Sequence, residues 1–411
     1  MFDKTILLSS YKSDPFGVSE SYIAFLWLNI LLKKFNIILL TTIEAEDSLK
    51  NYYQNNLPEN LKIVSFKDNY PFKSKGIVRN GIKLGYFYFN QKIKKYLIEH
   101  PEIIAECDIL FHKTPVSFRY FTSLVHFNKP VYIGPLSGGL KPPAVLRNYF
   151  RKESIAHKIR NLDPFILRLP VYKKQFSKIE KVIVCFDYLD DILPKEYLLR
   201  KKILLDIGID CSQYTQAVNN SKTTSILYVG RLTRYKGAEL LIRSVNKIKD
   251  LDFVVNIVGD GEERDYLKNL VKEFKLEDKI KFHGFKAAQE VKLFYSSASV
   301  FCSPALTESI GIVFYEAMAS GLPIITINNG GPKYICPSEG SIKIPITSEN
   351  GIIAELQESI QFLIENPAKR KEMGEFNRKY CMENYDWKIL EKNILDFFSD
   401  EIEFHSKAII N

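Results

Sequence analysis

Ser303–Gly331, reading SPALTESIGIVFYEAMASGLPIITINNGG, is the stretch whose reading decides the fold. Glu308 and Glu316 stand eight residues apart in it, with Gly311 between them and Gly321-Leu322-Pro323 behind. The preceding run, Ala298 to Cys302, is apolar and of strand length. Ile312 to Ala319 has helical spacing and good helix formers, and Gly321 followed by Pro323 stops it. The pattern predicts strand, loop, helix, turn, strand, with Glu308 in the loop and Glu316 about two turns into the helix. Ser309, Ile310 and Gly311 then bring their amides to the helix start, where unpaired N–H groups and the positive dipole end receive an anion. A lone glutamate at helical spacing usually reads as a solvated surface residue. Two carboxylates flanking an anion site read differently. They suit a ligand with hydroxyls at both ends and phosphates in the middle, as a nucleotide-sugar has.

The segment resembles the E-x7-E region of glycosyltransferase family 4, whose usual form is E-G-F-G-L/I-x-x-x-E-A-M-A-x-G-x-P-V-I. Here it is E-S-I-G-I-V-F-Y-E-A-M-A-S-G-L-P-I-I, departing at Ser309 and Ile310. The resemblance implies an α/β chain of GT-B architecture. That means two Rossmann-like, doubly wound parallel-sheet domains facing across a cleft, and a C-terminal helix crossing back to the first domain. It implies a retaining, metal-independent hexosyltransferase. By the same resemblance Glu308 hydrogen-bonds donor-sugar hydroxyls and Glu316 accepts from the ribose hydroxyls.

Length and composition agree with two soluble domains. A chain of 411 residues is too long for one ordinary core. Its 46% hydrophobic and 26% charged residues are those of a globular protein. Six scattered cysteines show no C-x-x-C and no zinc spacing, which points to a reducing, cytoplasmic setting. Met1 to Ser10 reads as a strand and not as a signal peptide. Tyr22 to Leu32 is too short to span a bilayer and reads as a core helix. The net charge of +9 is uneven. Lys73 to Lys95 carries seven Lys/Arg and no acid, and Lys141 to Lys178 carries ten against two acids. Both stretches are interleaved with aromatics, which suits an anionic membrane face or a lipid-linked acceptor. A solvated lysine-rich face accounts for them equally well. No nucleic-acid motif accompanies the charge.

Taken in order, strand-like runs recur at Thr5–Ser9, Ile37–Thr41, Ile63–Phe66, Ile109–Phe111, Val131–Ile133 and Val182–Cys185, with helical patterns between. Ser19 stands where it would cap a helix from about Glu20 to Lys34. A second series follows at Ile226–Val229, Phe253–Val258, Ile280–Phe282, Ser299–Cys302 and Ile324–Thr326. This alternation predicts two parallel, doubly wound sheets. The expected domains are 1–205 on the acceptor side, 206–385 on the nucleotide-sugar side, and 386–411 as the returning helix. Ile207-Gly208-Ile209-Asp210 resembles the family's N-G-I-D marker ahead of the second domain, with isoleucine in place of asparagine.

Several short motifs carry the chemistry. Gly230 and Arg231 follow one strand, and Lys236-Gly237 comes five residues later, matching the family's G-R-L-x(n)-K-G. A nucleoside diphosphate gains negative charge as it leaves, so fixed cations there favour the transition state. Arg231 offers a fork and Lys236 a point charge. Gly259 opens a turn that fails the dinucleotide fingerprint, because the sixth position is Arg264. The turn resembles instead the family's G-x-G near the nucleotide base, with Phe285 also bordering it and His283 in a structural role. Phe16-Gly17-Val18-Ser19-Glu20 resembles the family's first loop with one glycine lost, leaving Gly17 as the point of close approach. His112-Lys113-Thr114-Pro115 and Gly134-Pro135-Leu136-Ser137-Gly138-Gly139 resemble a subgroup with H-x-x-T-P and G-P-x-G-G. The resemblance puts His112 near the reacting carbon of the donor sugar, and Gly138 and Gly139 on the acceptor side. Asp250-Leu251-Asp252, the one D-x-D spacing, falls on the wrong edge of its sheet for a metal site.

The expected function is transfer of a hexose-type sugar from a UDP- or GDP-sugar to a hydroxyl of a glycan or lipid-linked acceptor, with retention. No cofactor is called for beyond that donor. The expected setting is polysaccharide or glycolipid assembly, in the cytoplasm or at the inner face of the membrane. The rivals are a nucleotide-sugar epimerase of the same fold and a catalytically silent scaffold that binds glycan precursors.

Overall fold

The computed structural model describes residues 3–68, 83–150, 163–217 and 222–410. Its described residues group into two compact units. The first takes those of Met1–Gly139, Ser154–Asp206 and Glu391–Asn411; the second takes those of Leu140–Glu153 and Ile207–Leu390.

The first unit carries a seven-stranded sheet. Its strands are β1 (Thr5–Ser10), β2 (Asn36–Thr42), β3 (Leu61–Phe66), β4 (Ile109–Thr114), β5 (Val131–Leu136), β6 (Lys181–Val184) and β7 (Lys201–Ile203). They lie in the order β3-β2-β1-β4-β5-β6-β7, and every pair is parallel. Ile6, Leu7 and Leu8 of β1 and Leu39 and Leu40 of β2 are fully buried, as continuous apolar runs in a doubly covered parallel sheet must be. The helix Glu20–Leu32 lays Trp27, Leu28 and Leu31 on this sheet. Ser19 precedes it but makes no side-chain cap, having a φ of 53°. The C-terminal helix, Trp387–Ile410, contributes Phe398 to the same core, with its ring 4.9 Å from Phe111. Tyr132 of β5 donates to Glu401 at 2.8 Å.

The second unit repeats the plan with six strands. These are β8 (Thr224–Val229), β9 (Phe253–Val258), β10 (Ile280–Gly284), β11 (Val300–Ser303), β12 (Ile324–Ile327) and β13 (Ser341–Ile344), in the order β10-β9-β8-β11-β12-β13 and all parallel. Two doubly wound parallel sheets are what the alternation of elements predicted.

Three expectations need correcting. Strands β7 and β13, of three and four residues, escaped the pattern reading. Residues 140–150 belong to the second unit, because Leu146, Tyr149 and Phe150 fill its hydrophobic core. The helix after Glu308 spans Ile312–Ala319, so Glu316 is its fifth residue, little more than one turn in.

Of the two basic stretches, residues 73–82 and 151–162 lie outside the described residues. No helix among the described residues is long and apolar enough to cross a membrane.

Candidate active site

In a doubly wound sheet, ligands bind beyond the strand C-termini where the strand order reverses. In the second unit that point lies between β8 and β11. Gly230, Arg231 and Lys236 follow β8, and Glu308 follows β11. The two sides touch. Lys236 Nζ pairs with a Glu308 oxygen, each side chain remaining partly exposed at 18% and 16%. The Leu306 amide donates to the Tyr235 carbonyl at 2.8 Å, which fixes the loop to the turn. Arg231 is exposed and donates through Nη2 to the Tyr235 hydroxyl at 2.7 Å. The hydroxyl of buried Tyr228 reaches the carbonyls of both Arg231 (3.3 Å) and Lys236 (3.4 Å), closing the turn that carries both cations.

Glycines let these segments approach. A Cβ at Gly259 would stand 1.9 Å from the Gly230 carbonyl oxygen, and Gly259 has a φ of 139°. Gly259 and Gly230 therefore serve the packing of one strand end on the next. Gly311 has a φ of 77° where the chain turns from Glu308, Ser309 and Ile310 into the helix, and a Cβ there would strike Phe314 and Glu308 Cγ. Gly330-Gly331 passes the backbone of Glu308 and Ser309 at similar range, and the Gly331 amide donates to the Glu308 carbonyl at 2.8 Å. That pair is a backbone contact behind the glutamate.

Glu316 has partners of its own. Its two oxygens accept from Tyr214 (3.1 Å) and Tyr295 (2.9 Å). Burial raises its pKa, and the two tyrosine hydroxyls act against that rise. The sequence reading missed both tyrosines, since a tyrosine inside a helix or at the end of a short turn carries no signal of its partner. Phe285, 81% exposed, follows β10. His283 packs on Phe294 and shares a 2.8 Å contact with Asn256.

The remaining predicted residues belong to the first unit, where the order reverses between β1 and β4. Gly17 lies in the loop after β1, and a Cβ there would meet Ser21 Oγ at 2.3 Å. His112 lies inside β4, which runs on to Thr114 and not only to Phe111. It is 2% exposed, packs 5.8 Å from the Tyr86 ring, and neither ring nitrogen has a hydrogen-bond partner. Burial pushes its pKa down to about 3, the nearby Pro115 carbonyl pulling the other way, so the ring is neutral at neutral pH. Next to it Lys113 is sealed from solvent and pairs with Asp206 at 2.8 Å. Gly138 donates to the Tyr188 hydroxyl at 3.2 Å and has open space where a Cβ would be, whereas Gly139 is packed by Phe118. Among the described residues no cluster of His, Cys, Asp and Glu could hold a metal ion.

Two parallel Rossmann-like sheets with charged loops at a switch point define the GT-B class. The solved sucrose-phosphate synthase of Thermosynechococcus elongatus shares this fold, with a TM-score of 0.67 at 17% identity over 97% of this chain and 99% of that one. Residues 213–380 match the family described as glycosyl transferases group 1. An uncharacterized glycosyltransferase of Methanocaldococcus jannaschii is 30% identical over 257 residues, 59% of this chain and 67% of that protein. The chain belongs to the glycosyl transferases group 1 family. An uncharacterized glycosyltransferase of Haemophilus influenzae is 35% identical over 176 residues, 41% of this chain and 47% of the relative. A putative colanic acid biosynthesis glycosyltransferase of Escherichia coli is 28% identical over 267 residues, 62% of this chain and 64% of the relative. The chain spans about half the length, or less, of the first curated relatives it matches.

Proposed function

We propose that this chain moves a hexose-type sugar from a nucleoside-diphosphate sugar, UDP- or GDP-linked, to a hydroxyl of a glycan or lipid-linked acceptor, with retention. The observation that carries the reading is the pairing of Lys236 with Glu308 at the β8/β11 switch point, on the same turn that holds Arg231 against Tyr235. A leaving diphosphate gains charge as the glycosidic bond breaks. A guanidinium and an ammonium fixed on one turn stabilise that charge without reorganising. With the amide end of Ile312–Ala319 they offer enough positive potential for the diphosphate to need no metal. Glu308, released from Lys236 when phosphate takes its place, is free to accept from sugar hydroxyls. Glu316, oriented by Tyr214 and Tyr295, suits the ribose hydroxyls.

Cell-surface polysaccharide or glycolipid assembly is the setting, supported by the colanic acid relative. Exposed Phe165, Leu169 and Val171 beside Arg168, Lys173 and Lys174 support peripheral contact with an anionic membrane face from the cytoplasmic side.

The test is incubation of purified protein with UDP- and GDP-sugars, following both donor consumption and product. A raised melting point with one donor and transfer or slow hydrolysis of its sugar support the reading. Isomerisation of the donor without transfer makes the protein an epimerase. Indifference to every nucleotide-sugar makes it a scaffold.

A further inference from the structure

Residues 140–150 follow directly on Gly139 yet are built into the second unit, where they meet both charged loops. A Cβ at Gly330 would stand 2.2 Å from the Glu308 carbonyl oxygen and 2.7 Å from Leu140 Cδ1, so Leu140 packs on the turn behind Glu308. At the other end of the segment Tyr149 grips the turn that carries Arg231 and Lys236. The Arg234 guanidinium lies 4.3 Å over the Tyr149 ring. Its Nε donates to the Tyr149 carbonyl at 3.1 Å, and the Tyr149 hydroxyl donates back to the Arg234 carbonyl at 3.3 Å.

Arg234 is engaged on its other side as well. It donates to Glu239, whose side chain is 1% exposed. Glu239 also accepts from Arg243 Nε (2.7 Å) and the Tyr266 hydroxyl (2.8 Å). A buried carboxylate that accepts three such bonds is costly to disturb. A guanidinium with its face on a ring and its edge on a carboxylate has little freedom left to follow a ligand.

We infer that Arg234 is a positioning residue: held between Glu239 and Tyr149, it sets the turn that presents Arg231 and Lys236, and it makes residues 140–150 part of that support. The segment that continues the Gly138-Gly139 loop thereby bears on how firmly a diphosphate is held. The meaning of that grip rests on the transferase reading above; the geometry of the support does not.

The test compares Arg234→Lys, which keeps a charge for Glu239 but loses the planar stack, with Tyr149→Phe, which keeps the ring, and Tyr149→Leu, which does not. UDP and GDP binding by calorimetry is paired with hydrogen exchange of the amides at 233–237 in the unliganded protein. Arg234→Lys and Tyr149→Leu are expected to weaken the bound nucleotide by roughly tenfold and to speed exchange at 233–237. Tyr149→Phe is expected to stay within about threefold of the parent, because it keeps the ring on which Arg234 stacks. Parent-like binding and exchange in Arg234→Lys overturn the inference while the transferase reading stands. A parent protein that binds neither nucleotide removes the transferase reading. Exchange alone then decides, faster exchange at 233–237 supporting the positioning role and unchanged exchange overturning it.

Discussion

The two units share one winding plan and treat charge at their switch points in opposite ways. In the second, Lys236 and Glu308 meet partly exposed, within reach of a ligand that could part them. In the first, Lys113 and Asp206 are closed off at 0% and 4% exposure, under the ring of Trp27, and His112 beside them is neutral. A pair that keeps some contact with solvent loses less when parted, because water can take up each charge. A buried pair cannot be parted without leaving a bare charge in the interior. A lysine–carboxylate pair thus stays open to solvent in one sheet and is an internal fastener in the other.

The largest expected effect breaks the fastener. Lys113→Met should cost about 3–5 kcal/mol, seen as an earlier thermal transition, with Lys113→Met/Asp206→Leu recovering much of it. A single variant that melts with the parent would erase the contrast. In the second unit Lys236→Ala should leave the melting point nearly unchanged while lowering turnover by about 10²–10³-fold. Undiminished turnover would remove Lys236 from the site.

His112 sharpens the contrast through pH. Its folded pKa lies below the unfolded value, so the unfolded chain takes up the proton first. Its stabilising contribution is complete above pH ~6.5 and is lost as pH falls toward about 3. Urea unfolding should show His112→Gln gaining about 3 kcal/mol on the parent between pH 7 and pH 4. Parallel stability curves would mean the ring is solvated.

The smallest effect belongs to Glu316, whose pKa the fold raises. Keeping it ionised therefore costs stability at neutral pH, and the cost vanishes as pH drops below the unfolded carboxylate range. Glu316→Gln should melt slightly higher than the parent at pH 7, converge with it below pH ~4, and bind nucleoside more weakly. A lower melting point at pH 7 would show that the two tyrosine bonds outweigh the burial.

Much of this was legible in the sequence because apolar runs of four to six residues mark buried parallel strands. Phe253–Val258 and Ile312–Ala319 were placed residue for residue. The edge strands Lys201–Ile203 and Ser341–Ile344 are too short to show a period. At the candidate site, the family resemblance named Arg231, Lys236, Glu308 and Glu316. It could not reveal that Lys236 pairs with Glu308, or that Tyr214, from 102 positions away, holds Glu316. Contacts between distant positions leave no local pattern to read. Residues 140–150 were assigned to the wrong unit for the same reason. Their apolar side chains say that they are buried, not where.

That interleaving of the chain has a consequence during synthesis. Neither unit is one continuous stretch. The first is finished only when the helix bearing Phe398 has left the ribosome. The second needs Leu146, Tyr149 and Phe150, which emerge long before the strands they pack against. A fragment ending near residue 205 would leave those three side chains without the core they fill, and one beginning at 207 would be hollow where they belong. Both units therefore depend on chain from either side of residues 206–207 to complete their interiors.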